Sequence, residues 1–290
     1  MKISVSSITH PGFVRDRNED AVAVCPDLAL GRWMDSDGFV PLGRSGALVV
    51  VADGMGGANY GDVASGTAVN RFRMNFSLEN LSSDISSERA CDVLINTFEE
   101  ACSDILACAE KDPSTAGMGT TVVALLLERN HAHIAWCGDS RCYIYRPGQN
   151  IRAVTKDHSY VQELVDKGEI HPDQMMHHPC ANMITRALGD VDADSTPEIS
   201  ICDFSEGDMF LLCSDGLCGY CSDKMIESVM AAKKNNTKAC VDGLLQLALQ
   251  AGGLDNVSIA VVATCCDTES TSGGGFWSKL RGLLRRNAEF

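Results

Sequence analysis

Four aspartates in this chain share one kind of setting. Asp53 follows the apolar run Ala47 to Ala52 and is followed by glycine at 54, 56 and 57. Asp139 follows Ala132 to Cys137 after a glycine, Asp215 follows Met209 to Cys213 after a serine, and Asp255 stands just before Val257 to Ala263. Glu19 and Asp20 lead into another apolar stretch, Ala21 to Val24. A carboxylate at the end of a core strand loses its charge to desolvation unless a cation, hydrogen-bond donors or open solvent sustain it. If these strands share sheets, the acids meet at one rim, where so many like charges ionise together only around cations. The alternative is that each aspartate serves its own strand-end turn. Hard oxygen ligands without a cysteine or histidine cluster favour Mg²⁺ or Mn²⁺ over zinc.

Arg15, four residues before Glu19, offers a planar fork to a phosphate, or an ion pair to Asp16, Glu19 or Asp20. Two cations sharing a bridging aspartate lower the pKa of a bridging water and align it for in-line attack on phosphorus. Phosphate-monoester hydrolysis needs charge neutralisation on that scale. A nucleotide-binding loop is excluded, since the glycines after Asp53 lack its Lys-Ser/Thr.

The elements that must position these acids are legible in the pattern. Strands are expected over residues 2–9, 21–24, 47–52, 120–127, 132–137, 142–146, 209–213 and 257–263, and helices over 62–76, 87–110, 223–232 and 237–251. Ser159 and Gln162 have capping-box spacing for a short helix that Gly168 ends. The polar, broken stretch from 168 to 189 reads as a flap over the surface.

With 290 residues, 45% of them hydrophobic, the chain can bury a large core. Its net charge of −15 argues against nucleic-acid binding. The N-terminus has no signal-like apolar segment, and no apolar run approaches the ~20 residues of a membrane span, so a cytoplasmic location is expected. The fourteen cysteines are then expected to be reduced, and Cys218-x-x-Cys221 lacks the second ligand pair of a zinc site.

Taken in order, Arg15-x-x-Asn18-Glu19-Asp20, Val51-Ala52-Asp53-Gly54-Met55-Gly56-Gly57, Gly119-Thr120-Thr121, Gly138-Asp139-Ser140-Arg141, Asp157-His158-Ser159, Ile184-Thr185-Arg186-Ala187-Leu188-Gly189, Ser214-Asp215-Gly216-Leu217 and Asp255-Asn256-Val257-Ser258 resemble the metal-dependent protein phosphatase family of type 2C, in its bacterial form. The resemblance implies an α+β fold: a four-layer αββα sandwich of two antiparallel sheets flanked by helices, with the catalytic domain over residues 1–266 and a flap over 158–189. It implies hydrolysis of phosphoserine and phosphothreonine by direct attack of a metal-bridging hydroxide, opposing a bacterial Ser/Thr kinase, in a monomeric enzyme. By position Asp53 resembles the carboxylate bridging two Mn²⁺ or Mg²⁺ ions, and Gly54 lends its carbonyl to the first. Asp215 and Asp255 hold the second ion, and Asp139 resembles the ligand of a third. Glu19 and Asp20 bind metal-bound waters, and Arg15 binds the substrate phosphate.

At one position the chain departs from the family's eukaryotic members, which carry a histidine after the Asp-Gly pair; here it is Met55. The proton donor to the leaving alcohol is then His158 or a metal-bound water. An idle member of the family that binds phosphoproteins as a regulatory module is the alternative function. Residues 267–275 read as a flexible linker. In 276–290, Phe276, Trp277, Leu280, Leu283 and Leu284 share one helical face, with a net charge of +3, which suggests docking of 276–286 on an anionic membrane surface or a protein partner.

Overall fold

The computed structural model describes residues 1–56, 60–80, 87–191, 193–234 and 236–265. The linker and the amphipathic tail expected beyond residue 266 lie outside the described residues. Strands are β1 (Lys2–His10), β2 (Asp20–Cys25), β3 (Val40–Pro41), β4 (Ala47–Met55), β5 (Gly119–Glu128), β6 (His131–Cys137), β7 (Arg141–Tyr145), β8 (Arg152–Ala153), β9 (Glu198–Asp203), β10 (Met209–Cys213) and β11 (Val257–Cys265). Helices are α1 (Gly61–Asn75), α2 (Ser87–Lys111), α3 (Tyr160–Asp166), α4 (Asp215–Cys218), α5 (Asp223–Lys233) and α6 (Thr237–Gln250).

The strands form two antiparallel sheets, ordered β3-β1-β11-β10-β7-β8 and β2-β4-β5-β6-β9. Side-chain alternation then sorts the apolar residues into three layers. In β4, Leu48, Val50 and Ala52 face α1 and α2 and pack with Ala68, Phe72, Leu94 and Phe98. Ala47, Val49 and Val51 face the other way and meet Ile3, Val5, Phe210, Leu212, Ala260 and Val262 of the opposite sheet. In β11, Val257, Ile259 and Val261 pack outward on Leu217, Ile226, Val241 and Leu244 of the other helical layer. The result is the expected helix, sheet, sheet, helix stack. It also explains why antiparallel strands here are apolar on both faces, a pattern more usual in parallel sheets.

The α2 pattern behaves as its spacing requires, with Leu94, Phe98, Ala101 and Ile105 buried. Ser159 caps α3 by accepting from Gln162 N, and Gly168 follows with a positive φ of 72°. Four strands and helices lay outside the expectation: β3, β8, α4 and β9. β9 is only half-buried and alternates with polar residues, so it lacks the continuous apolar run that marks the central strands.

The flap expectation needs a correction at its C-terminal end. A 3₁₀ turn at Pro172–His177 buries nothing, as expected of a surface excursion. Ala187 and Leu188 are fully buried, however, and Leu188 exchanges two backbone hydrogen bonds of 2.9 Å with Thr120. Two apolar residues between Arg186 and Gly189 were too short a run to stand out as core.

No disulfide joins the described cysteines, and Cys218 and Cys221 are buried in the packing around α4. Among the described residues no helix is long and apolar enough to cross a membrane. Leu125 of β5 is fully buried between the sheets. Leu125→Ala is expected to lower unfolding free energy by about 2–5 kcal/mol through lost burial and a residual cavity, measured by urea denaturation; a loss under about 1 kcal/mol would contradict a closely packed layer between the sheets.

Candidate metal centre and phosphate site

The site grows out of the alternation that builds the inner core. Val51, Val49 and Ala47 point between the sheets, and Asp53, two residues further along β4, points to the same side. β4 does not stop before this acid, as the glycines suggested. It continues through Gly54 to Met55, pairing Asp53 with Asp20 of β2 and with Thr121 of β5. Thr121, Ser140, Ser214 and Ser258 stand in the same phase on their own strands and extensions. They replace the apolar layer with a hydroxyl layer: Thr121 Oγ1 lies 2.7 Å from Ser140 Oγ, and Ser214 Oγ donates to Asp20 Oδ2 at 2.8 Å while accepting from Ser258 N at 2.9 Å.

Above this layer opens a cavity of about 220 Å³ lined by Arg15, Glu19, Asp53, Gly54, Met55, Gly56, Thr121, Asp139, Asn182, Ile184, Asp215, Asp255 and Asn256. Every aspartate singled out by strand-end position is there. Asp139 is delivered by the β6–β7 connection, where Gly138 has φ +112° and a Cβ would meet Thr121 at 2.5 Å. Gly54 is needed for a different reason. A Cβ on it would come within 2.1 Å of the Gly61 carbonyl at the start of α1 and 2.4 Å of the Glu19 carbonyl. Its own N–H donates to that Glu19 carbonyl at 3.2 Å, which locks β4 to the acidic loop.

Two expected residues sit differently. Asp20 lies beneath the cavity rather than on its wall, buried, with Oδ2 held by Ser214. His158 is not among the lining residues either. Its ring is buried and stacked on Trp136 at 6.0 Å, Nδ1 accepts from Gly138 N at 3.1 Å, and Nε2 lies 3.2 Å from Glu198 Oε1. Burial, then the Arg186 charge, pushes its pKa down. The imidazole therefore braces the turn that presents Asp139, and the structure argues against it as proton donor to the cavity.

Arg15 also takes an unforeseen partner. Instead of Asp16, Glu19 or Asp20, its Nη2 donates to Asp255 Oδ2 at 2.7 Å, 240 positions away in sequence, while the side chain stays 55% exposed. Asn256, in sequence only the neighbour of a candidate ligand, turns out to organise this corner. Its Nδ2 donates to the carbonyls of Pro11 at 2.9 Å and Arg17 at 2.8 Å, and its Oδ1 accepts from Glu19 N at 2.8 Å. One amide side chain thus holds the loop carrying Arg15 and Glu19 against the start of β11. The Asp-Asn pair before an apolar strand was the available signal.

The charges define what the cavity can hold. Desolvation, then repulsion from Asp20, Asp215 and Asp139, raises the Asp53 pKa well above the ordinary carboxylate range. Asp139 is raised in the same way by burial and then by Asp215. Asp215 is pushed to about 6 by burial and then Asp255, and Asp20 to about 7 by burial. Asp20 Oδ1 is buried with no hydrogen-bond partner among the described residues. A cluster that resists ionisation this strongly, with only oxygen donors around it, fits hard divalent cations. Among the described residues no three acidic, histidine or cysteine side chains converge on a single point suited to a metal. Carboxylates in pairs, the Gly54 carbonyl and water suit Mg²⁺ and Mn²⁺, which keep part of their hydration.

Comparison with known proteins agrees with this geometry. Residues 36–246 match the family described as Protein phosphatase 2C. The serine/threonine phosphatase stp of Listeria monocytogenes is 34% identical over 215 residues, covering 74% of this chain and 83% of that protein. The structure of serine/threonine phosphatase Stp1 from Staphylococcus aureus superposes with a TM-score of 0.77 at 30% identity, covering 91% of this chain and 95% of that one. The catalytic domain of the serine threonine protein phosphatase PstP, in complex with 2 manganese ions, does so with a TM-score of 0.72 at 31% identity, covering 91% and 99%. The match ends short of Arg15, Glu19 and Asp255, yet the fold brings those residues into one cavity with Asp53, Asp139 and Asp215, and the chain belongs to the protein phosphatase 2C family.

Proposed function

We infer that this chain is a metal-dependent protein phosphatase acting on phosphoserine and phosphothreonine. The observation that carries the reading is the meeting of Arg15, Glu19, Asp53, Asp139, Asp215 and Asp255, from distant parts of the chain, around one solvent-open cavity. Asp53, with the Gly54 carbonyl, Asp215 and Asp255, would hold two Mn²⁺ or Mg²⁺ ions, and Asp139 with Asp215 a third. When bound, such ions supply charge neutralisation and an acidified water for displacement at phosphorus.

The protein's own groups do the rest. Glu19 on the wall and Asp20 below it orient water around the ions. The exposed guanidinium of Arg15 takes the phosphate dianion, and its bond to Asp255 aims it at the ligand cluster. Asn256 keeps that loop in place. With His158 engaged elsewhere and Met55 unable to donate, the proton for the leaving alkoxide comes from water in the cavity. Residues 168–186, which contribute Asn182 and Ile184 to the lining, act as the flap beside the site, within a catalytic domain over 1–266. The retained set of acids favours a working enzyme over an idle phosphoprotein-binding module. A cytoplasmic monomer opposing a Ser/Thr kinase is the setting this reading proposes; the relatives named as Ser/Thr phosphatases support its phosphoprotein substrates.

The protein with Mn²⁺ is expected to hydrolyse an aryl phosphate and a phosphothreonine peptide, and EDTA to abolish both; turnover that survives EDTA, or none with metal, refutes the reading. Asp215→Asn should lower turnover by more than the roughly 10–100-fold typical of a group that only supports a metal ligand, with a weaker Mn²⁺-induced thermal shift.

The raised carboxyl pKa values set a further expectation. Below the unfolded value near 4 both states are protonated, so these groups cost nothing. Between that value and about 6 for Asp215 or 7 for Asp20, the unfolded state ionises while the folded state keeps its protons, so stability without metal falls across this window and levels off above it. Cations bind the ionised form, so the Mn²⁺-induced rise in melting temperature should be larger at about pH 8 than at about pH 5.5. Differential scanning fluorimetry reads this directly, and a pH-independent shift would show that these carboxylates do not bind the metal.

A further inference from the structure

The segment from His10 to Arg15 is fastened to the loop before β11. Phe13 N donates to Gly253 O at 2.7 Å and Asn256 Nδ2 to Pro11 O at 2.9 Å, while within the segment Gly12 N donates to His10 Nδ1 at 2.9 Å. The Phe13 ring stands edge-on to His10, with centroids 6.3 Å apart, and covers Gly253, where an added Cβ would lie 2.8 Å from the ring. Although held in this way, Phe13 is 69% exposed, and Val14 and Leu254 beside it are 62% and 45% exposed. Single exposed apolar side chains are ordinary on protein surfaces. Here three occupy the two hydrogen-bonded loops that carry Arg15 and Asp255, both of which line the cavity.

We propose that Phe13, Val14 and Leu254 form an apolar ledge that receives an apolar side chain flanking the phosphorylated residue of a protein substrate. The proposal rests on the phosphatase reading. With the phosphate at Arg15, the substrate backbone must leave the cavity across its rim, and two residues of extended chain span up to about 7 Å. Phe13 and Val14 lie two and one positions before Arg15, so the ledge is within reach of substrate residues next to the phosphorylated one. A fixed aromatic surface binds such a side chain at little cost in conformational entropy. An acidic flank is repelled by a chain of net charge −15. A basic flank finds Asp255, the cavity acid next to Leu254 in sequence, already engaged by Arg15.

The test uses the full chain with Mn²⁺ and three phosphothreonine peptides that differ only beside the phosphothreonine, with leucine, serine or lysine. The leucine peptide is expected to have a kcat/KM about tenfold above the serine peptide. Phe13→Ser and Leu254→Ser, each outside the metal and phosphate machinery, should bring that ratio toward one while leaving hydrolysis of p-nitrophenyl phosphate unchanged. Equal rates on the three peptides, a lysine peptide hydrolysed best, or a leucine preference that persists in both variants would overturn the ledge. In those cases continued turnover of the aryl phosphate keeps the phosphatase reading intact. No hydrolysis of any of the four substrates would overturn that reading, and the ledge with it.

Discussion

Repulsion among carboxylates in a poorly solvated cleft is the constraint around which this protein is arranged. Asp53, Asp139 and Asp215 cannot ionise together at their positions without help, and their raised pKa values express that conflict. A lone buried acid of this kind would be a defect. A group of them, joined by a buried Asp20 oxygen with no hydrogen-bond partner among the described residues, is a demand for positive charge that divalent cations meet. Stability, metal affinity and pH dependence are therefore one linked property of the molecule.

The two-sheet core makes such crowding tolerable. Residues that alternate along β2, β4, β5, β10 and β11 form an apolar layer over most of their length, and in the same phase the sequence changes to Asp20, Asp53, Thr121, Ser214 and Ser258 at one end. The hydroxyls of Ser214, Ser258 and Ser140 lie beneath the cavity, and Thr121 lines it. They separate the acids from hydrocarbon, so the site needs no distortion of the strands that carry it. Backbone is fitted closely where Gly54 meets Gly61, where Gly138 turns Asp139 inward, and where Gly216 and Gly12 approach the Asn256 and Asp255 carbonyls.

The corner around Arg15 shows a second level of organisation. An exposed guanidinium would lose much side-chain entropy on meeting a phosphate. The Arg15 bond to Asp255, and the three bonds from Asn256 to the surrounding loop, reduce that loss beforehand. The same fastening displays Phe13 and Val14 next to the Arg15 guanidinium.

Much of this was legible in the residues. The apolar runs located the central strands, the spacing of Leu94, Phe98, Ala101 and Ile105 located α2, and the acids at strand ends marked the cavity wall, because these features depend on local periodicity and on the cost of placing charge next to a core. The half-buried edge strand β9 and the buried Ala187–Leu188 pair escaped, since neither makes a run long enough to separate from loop composition. Partner choice was beyond local reading altogether. Arg15 had three acids nearby in sequence and pairs with Asp255, His158 braces a turn where catalysis was an option, and Asn256 binds a loop more than 230 residues away. The sequence by itself determined which residue types stand at the ends of which strands; only the tertiary structure decided which of them meet, because hydrogen bonds and ion pairs between distant segments depend on register and loop path, which no local pattern encodes.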